Sequence, residues 1–343
     1  MATNRIGKLR SRRTDPIIKT TEMREVYDRI SEDDSVKYAV GAMQPIDKEY
    51  TTKTYEEGDR VKAQLDKSLN TQAPGVVEFE YQGSVTNNTH IKAHSDIDLL
   101  ALHAHFYTVQ PPGKPTFLYQ GDVLTDLKNL RTSCTQVLKS AFPTVSVNDD
   151  PGKCIALEGG SLRRKIDVVI SNWWNTVEYQ TSGLAFHRGV HVYDSKANSR
   201  IENRPFLHNA KIDERDRHLD GNVRKVARLL KSLKYDADTV VNMSSYDITS
   251  IAYRMPDDLM RPGHGTELLL VENTRGFLRL LLDDSALRAS LRVPNEMRAI
   301  FTSEGASVEG LNQLYKETQE LVDDINKGLS RSFRKLAEAR VLY

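Results

Sequence analysis

Tyr81-Gln82-Gly83-Ser84, followed after eleven residues by Asp96-Ile97-Asp98-Leu99-Leu100, is the stretch whose reading decides the fold. Residues 76–81 alternate apolar and polar side chains as a strand does, and residues 96–102 form a second strand candidate. In an extended chain, residues two apart point to the same side. Asp96 and Asp98 therefore present two carboxylates on one face, with Ile97 and Leu99 on the other. Carboxylates this close repel each other and favour a divalent cation between them. Magnesium suits them, being a hard ion that takes one or two protein carboxylates together with substrate phosphates.

A third acid lies further on, in Arg163-Arg164-Lys165-Ile166-Asp167-Val168-Val169-Ile170. Asp167 stands alone in an apolar strand, where a carboxylate is costly to bury without a partner. If this strand pairs beside residues 96–102, the three acids converge on one sheet edge and can bind two ions. Two ions activate an attacking hydroxyl and stabilise a leaving pyrophosphate. The alternative for Asp167 is a core acid paired with Arg163 or Arg164. Gly83 lets the backbone come close to a ligand. The Ser84 hydroxyl and backbone N–H groups at a turn into a helix can hold phosphate oxygens; the plain alternative is an ordinary turn.

Outward from this core, residues 1–20 are basic, polar and aperiodic, and read as an arm. Residues 23–30 are a short helix candidate. Residues 59–70 form an amphipathic helix, broken by Pro74-Gly75. Residues 111–115 are a loop. Apolar spacing predicts a long helix over 122–142, and short strands over 145–147, 154–157, 166–170 and 190–193. From about residue 207 the chain turns helical, with helices expected at 207–219, 221–235, 245–255, 265–282 and 309–338. Gly263-His264-Gly265 reads as a helix start. The expected class is α+β: an N-terminal mixed-sheet lobe and a C-terminal helical lobe, with the site in a cleft between them. The expected divisions are 1–58 (an arm and helix packing on the core), 59–206 (the catalytic lobe) and 207–343 (the helical lobe).

Composition narrows the function. Hydrophobic residues make up 39% and charged residues 28%, enough apolar material for a sizeable core. A net charge of +1 argues against a long nucleic-acid track and suits small anionic substrates in one basic cleft. Cys134 and Cys154 are too few for a four-thiolate zinc site or a disulfide scaffold, so a reducing cytoplasm is expected. No apolar run is long enough to span a bilayer or follow a basic leader, so no membrane association is expected. His103, His105 and Trp173-Trp174 read as packing residues.

Gln82-Gly83-Ser84, Thr89 and Asp96-Ile97-Asp98-Leu99 resemble the signature of the DNA polymerase β-type nucleotidyltransferases, and more closely the branch of cyclic GMP–AMP synthases and bacterial dinucleotide cyclases. The helix around Val223-Arg224-Lys225-Val226-Ala227-Arg228-Leu229-Leu230-Lys231 resembles the branch's carrier of a triphosphate-binding lysine. Read by itself, its Arg224, Arg228 and Lys231 form one basic face, which could equally be a solvated surface. Lys231 is the candidate for the triphosphate, ahead of Lys234. Ser244-Ser245-Tyr246-Asp247-Ile248 resembles a Ser-Tyr element that touches the triphosphate and stacks on a base; the alternative for Tyr246 is core packing. The resemblance covers roughly residues 60–280.

It implies a cyclic di- or oligonucleotide synthase that releases pyrophosphate, with bacterial antiphage signalling as its expected role. The catalytic and metal residues would be Asp96, Asp98 and Asp167, and the nucleotide contacts Gln82, Gly83, Ser84, Lys231, Ser245 and Tyr246. Two Mg2+ ions are implied, for which Mn2+ can substitute. The partners would be nucleoside triphosphates and regulatory or effector proteins. Lacking a cysteine–histidine cluster, the chain is not expected to be activated by duplex DNA. Rival readings are a template-free RNA-tailing enzyme, a transferase modifying a small molecule or protein, and a catalytically silent binding module.

Overall fold

The computed structural model describes residues 4–14, 33–71, 75–93, 95–263 and 266–341. Residues 23–30, Pro74 and the His264-Gly265 pair, each read above as a local feature, lie outside the described residues. In chain order the elements begin with α1 (Arg5–Arg13), α2 (Asp34–Met43), α3 (Lys48–Asn70), β1 (Val77–Gln82), β2 (Ile97–Val109) and α4 (Val123–Ala141). There follow β3 (Ser146–Asn148), β4 (Ile155–Glu158), β5 (Ile166–Asn175), α5 (Val177–Ser182), β6 (Gly189–Asp194) and β7 (Ser199–Asn203). The last are α6 (Pro205–His218), α7 (Asn222–Asp236), α8 (Ser245–Arg254), α9 (Leu269–Asp283), α10 (Ser285–Ser290) and α11 (Val308–Val341). The chain divides into two compact units. One holds Asp47–Asn88 and His94–Lys211; the other holds Met1–Ile46, Thr89–Ala93 and Ile212–Tyr343.

The first unit is built on a mixed sheet ordered β1-β2-β5-β4-β3, with β6 and then β7 continuing from β5. β1 runs antiparallel to β2, and β2 runs parallel to β5. β4 pairs with the first half of β5 and β6 with its second half, so one edge of β5 serves two strands. A parallel pair needs a long crossover, and α4 lies within the one joining β2 to β5. Asp122 caps α4 by accepting from the Thr125 N–H at 2.6 Å. Leu127, Leu130, Cys134 and Leu138, spaced three or four apart, are buried on one face of that helix. They pack with Val61 and Leu65 of α3 against Ile97, Leu99 and Ala101 of β2 and Ile166, Val168 and Ile170 of β5. Each such side chain contributes roughly 1.5–3 kcal/mol when fully buried.

The opposite face of the same strands carries Leu100, Leu102, Val169 and Trp173, joined by Val190, Val192 and Phe206 in a smaller apolar cluster. Trp173 donates its indole N–H to Glu78 at 2.7 Å and lies under the Arg188 guanidinium, 4.1 Å from the ring centre. His103 is buried against Phe106 with ring centres 4.7 Å apart. Both fit their reading as packing residues.

The helical unit is centred on α7. Val223, Val226, Ala227, Leu230 and Leu233 join Ile248 and Ile251 of α8, Leu270 and Phe277 of α9, and Leu311, Leu314 and Leu321 of α11 in one core. The N-terminal segment departs from its expected reading. Residues 5–13 are not an arm but helix α1, with Ile6, Leu9 and Arg12 buried. The unpatterned charges hide the helix, because Arg5 and Arg12 are themselves buried against acids of the same unit. Arg12 pairs with Asp236, which is fully buried and also accepts from the Tyr38 hydroxyl at 2.8 Å. α2 was not anticipated either, and α3 begins at Lys48 rather than at 59, with Asp47 as its cap.

Asp236→Asn keeps the side-chain shape and removes the charge facing Arg12. The expected loss of stability is about 3–5 kcal/mol, because a buried guanidinium is left without its counter-charge. Chemical denaturation of the two proteins measures it; a loss under about 1 kcal/mol would show that Arg12 finds its compensation elsewhere.

Candidate active site

Strand register places the sheet-borne candidates in one row. Gln82 of β1 lies opposite Asp98 of β2, and Asp98 lies beside Asp167 of β5. Directly paired residues share a sheet face, with neighbouring strands about 5 Å apart. Asp98 and Asp167 belong to the face of Leu100 and Val169, away from α3 and α4, because Leu99 and Val168 commit the other parity to the core. Asp96 lies just before β2 and is the most exposed acid, its side chain 58% accessible against 16% for Asp167.

Gly83 follows at a φ of +91°, a conformation that favours glycine. A side chain there would also collide with the Asp98 carboxylate. Glycine thus serves both the turn and the space for the acid. Residues 84–88 are turns; no regular helix opens after Gly83. The Thr86 hydroxyl donates to the Gly83 carbonyl at 2.8 Å, and Asn209 donates to Thr86 at 2.9 Å, which pins the turn. Ser84 is half-buried within it.

The charges in this row are mutually unfavourable. Burial pushes the Asp98 carboxyl up to about 7, and the Asp167 and Asp96 charges push it the same way, while Lys165 opposes them. The partner of Asp167 is neither Arg163 nor Arg164. Arg164 is buried and reaches Thr54 of α3, on the other side of the strand. Lys165, two residues from Asp167, shares its face. Its ammonium donates to Asp167 Oδ2 at 3.0 Å and lies 3.7 Å from Asp96 Oδ2. Strand parity in the sequence sets Lys165 apart from Arg164 but not from Arg163, which shares the face of Asp167.

The donor set suits a hard divalent cation. It offers three carboxylates, and Asp167 Oδ1 is buried with no hydrogen-bond partner. Among the described residues no three acid, imidazole or thiol groups already stand in metal-holding geometry; the cation touching two of the acids is Lys165. Cys154, close by on the chain before β4, has its thiol pushed up to about 11 by burial and then by Asp167, so it stays protonated.

The other candidates belong to the helical unit. The solvated-face reading of α7 does not hold. Arg228 is buried and donates to the Met43 carbonyl at 2.8 Å, and Arg224 pairs with Asp213 and Asp216. Lys231 is 5% exposed and donates to the Thr89 carbonyl at 2.6 Å. Burial, then Arg228 and Lys234, bring its ammonium down to about 7. Ser244 caps α8, accepting from the Asp247 N–H at 3.0 Å, which leaves Ser245 exposed in the first turn. Tyr246 is half-buried and donates to Asn295 Oδ1 at 3.1 Å, with the Arg298 guanidinium 5.4 Å from its ring centre. Sequence reasoning missed Asn295 and Arg298, which no local pattern marks.

The Asp98 shift has a consequence for stability. A carboxyl whose folded value is raised binds its proton more tightly in the fold than in the unfolded chain. Its contribution is therefore present at low pH and is lost as pH climbs from about 4 through about 7. In chelator, wild type should lose on the order of 3 kcal/mol more than Asp98→Asn across that range. Unfolding midpoints at matched pH test this; parallel pH profiles would remove Asp98 as the cause.

No family profile matches the chain. A cyclic dinucleotide synthase CdnE of Yersinia aleksiciae is 36% identical over 284 residues, 81% of this chain and 73% of that protein. A c-di-GMP synthase of Capnocytophaga granulosa is 30% identical over 246 residues, 65% of this chain and 68% of that protein. The solved STING-associated CdnE c-di-GMP synthase of Capnocytophaga granulosa matches with a TM-score of 0.78 and 27% identity, covering 94% of this chain and 98% of the other. On this likeness of sequence and fold, the chain belongs to the CdnE cyclic dinucleotide synthases and is a nucleotidyltransferase.

Proposed function

We propose that this synthase joins guanosine nucleotides into a cyclic dinucleotide, using Asp96, Asp98 and Asp167 to hold magnesium, or manganese in its place, against a nucleoside triphosphate. The observation that carries the reading is the in-register row Gln82–Asp98–Asp167 with a buried, unpartnered Asp167 oxygen at its end. The choice of guanosine rests on the c-di-GMP synthases among its relatives. A role in antiphage signalling rests on the STING association of the Capnocytophaga granulosa enzyme. No helix among the described residues is long and apolar enough to cross a membrane.

Bound magnesium would neutralise the triphosphate and acidify the attacking ribose hydroxyl. The residues around it have separate tasks. Asp167 serves the attacking hydroxyl, as a general base or as an ion ligand. Asp98, held beside Gly83, and the more exposed Asp96 would help hold the ions. The Ser84 hydroxyl and the Gly83 turn take phosphate oxygens. In the helical unit, Lys231, Ser245 and Tyr246 are the proposed nucleotide contacts. Lys231 spends one N–H on Thr89, and a nearby triphosphate would keep its ammonium charged. Tyr246 offers a ring for base stacking, worth about 1–3 kcal/mol.

Incubation with all four nucleoside triphosphates and no acceptor, read by mass spectrometry, should yield a guanosine-containing cyclic dinucleotide. Product only when RNA is added would favour a tailing enzyme instead. Asp96→Ala with Asp98→Ala should lower pyrophosphate release by roughly a thousandfold or more, since the ions supply several kcal/mol and about 1.4 kcal/mol is tenfold. A folded double variant that turns over near the wild-type rate sinks the assignment.

Tyr246→Ala should raise the nucleotide concentration required more than it lowers the maximal rate, because stacking is present before and during reaction. Tyr246→Phe should keep nucleotide use and lose about 0.5–1.5 kcal/mol of stability, since Asn295 loses its donor. If Ala leaves the nucleotide requirement unchanged, Tyr246 is core packing.

A further inference from the structure

We propose that Lys165 is a built-in counter-ion of the acid row, which a divalent cation must displace, so that this one side chain sets the ion concentration at which the enzyme loads. The proposal rests on the reading of Asp96, Asp98 and Asp167 as ion ligands. Its own evidence is geometric: one ammonium lies 3.0 Å from Asp167 Oδ2 and 3.7 Å from Asp96 Oδ2. It touches the two acids that flank the row, one inside β5 and one just ahead of β2. The Lys165 carbonyl accepts from the Ile97 N–H at 3.1 Å, so the backbone beneath it is tied into the β2–β5 ladder and the residue cannot drift.

Charge counting gives the direction. Three carboxylates face one ammonium, which lessens their repulsion without cancelling it. A doubly charged ion brings more charge to the same oxygens, but it cannot share Asp167 Oδ2 with an ammonium at hydrogen-bond distance without repulsion. One of the two must leave. Lysine is built for that: its charge sits on a flexible four-carbon stem, unlike the rigid fork of arginine, and its side chain is one third exposed, so a path to solvent is open. Lys165 is thus a positioning residue. It keeps the acids together at low ion concentration and yields when the ion arrives.

The test is thermal unfolding of the full chain, in chelator and across a Mn2+ or Mg2+ titration, for wild type, Lys165→Gln, Lys165→Met and Asp98→Asn. Gln keeps a hydrogen-bond donor and loses the charge; Met loses both. The expected result is a lower Tm in chelator for both lysine variants, and a half-saturating ion concentration about tenfold below wild type. A purely structural lysine would lower the Tm without moving that midpoint. If Lys165→Gln saturates at the wild-type concentration or above it, while Asp98→Asn abolishes the wild-type response, Lys165 is not a competitor and the ion site stands. If the wild-type Tm does not respond to either ion, or Asp98→Asn responds as wild type does, the ion-site reading fails and takes this proposal with it.

Discussion

The parallel, in-register pairing of β2 with β5 is the constraint on which the rest depends. A one-residue slip in a strand turns every side chain to the opposite face. Here Leu99, Ala101, Val168 and Ile170 must meet the apolar faces of α3 and α4. That demand leaves Asp98 and Asp167 no choice but to stand side by side on the other face. The hydrophobic core thereby holds two like charges at a separation they would not adopt freely. Gly83 makes room for the Asp98 carboxylate, and Lys165 offsets part of the repulsion. The acid row is a local cost that the packing beneath it sustains.

The helical unit handles charge differently. Several of its cations lie inside, tied to specific acceptors: Arg12 to Asp236, Arg228 to the Met43 carbonyl, Lys231 to the Thr89 carbonyl. A buried cation is tolerated where its donors are satisfied. Lys231 is the exception in kind, since it has carbonyl and hydroxyl acceptors but no carboxylate among the causes acting on it, and its ammonium is held near neutrality by burial and two cationic neighbours. Arg5, which meets Glu317 and Glu320, shows the more usual solution.

Strand parity and the acid spacing were legible because they depend on local chain geometry. The strands over 76–81, 96–102 and 166–170, the helix over 122–142 and the helical second half all followed from periodicity. α1 was not legible, because its arginines look solvated until Asp236 and Glu317 come from distant positions to meet them. β7 escaped because Ser199–Asn203 pairs only with β6 at the sheet margin and carries no buried alternation. Tyr246 could be placed on a helix from its neighbours, but its hydroxyl partner, Asn295, is 49 residues away.

The sequence by itself determined the class of fold and the superfamily signature, and it pointed to three carboxylates for one task, since each is written in residue order and period. Only the tertiary structure decided who answers their charge. Packing of α3 and α4 on the sheet turns Arg164 to the core side, but Arg163 and Lys165 share the parity of Asp167, and it is the folded chain that brings the Lys165 ammonium to that acid. The same holds for the basic helix α7: its amphipathic pattern is local, but whether Arg228 and Lys231 meet water or a carbonyl is set by helices and loops distant in sequence, because burial is a property of the assembled chain and not of any segment within it.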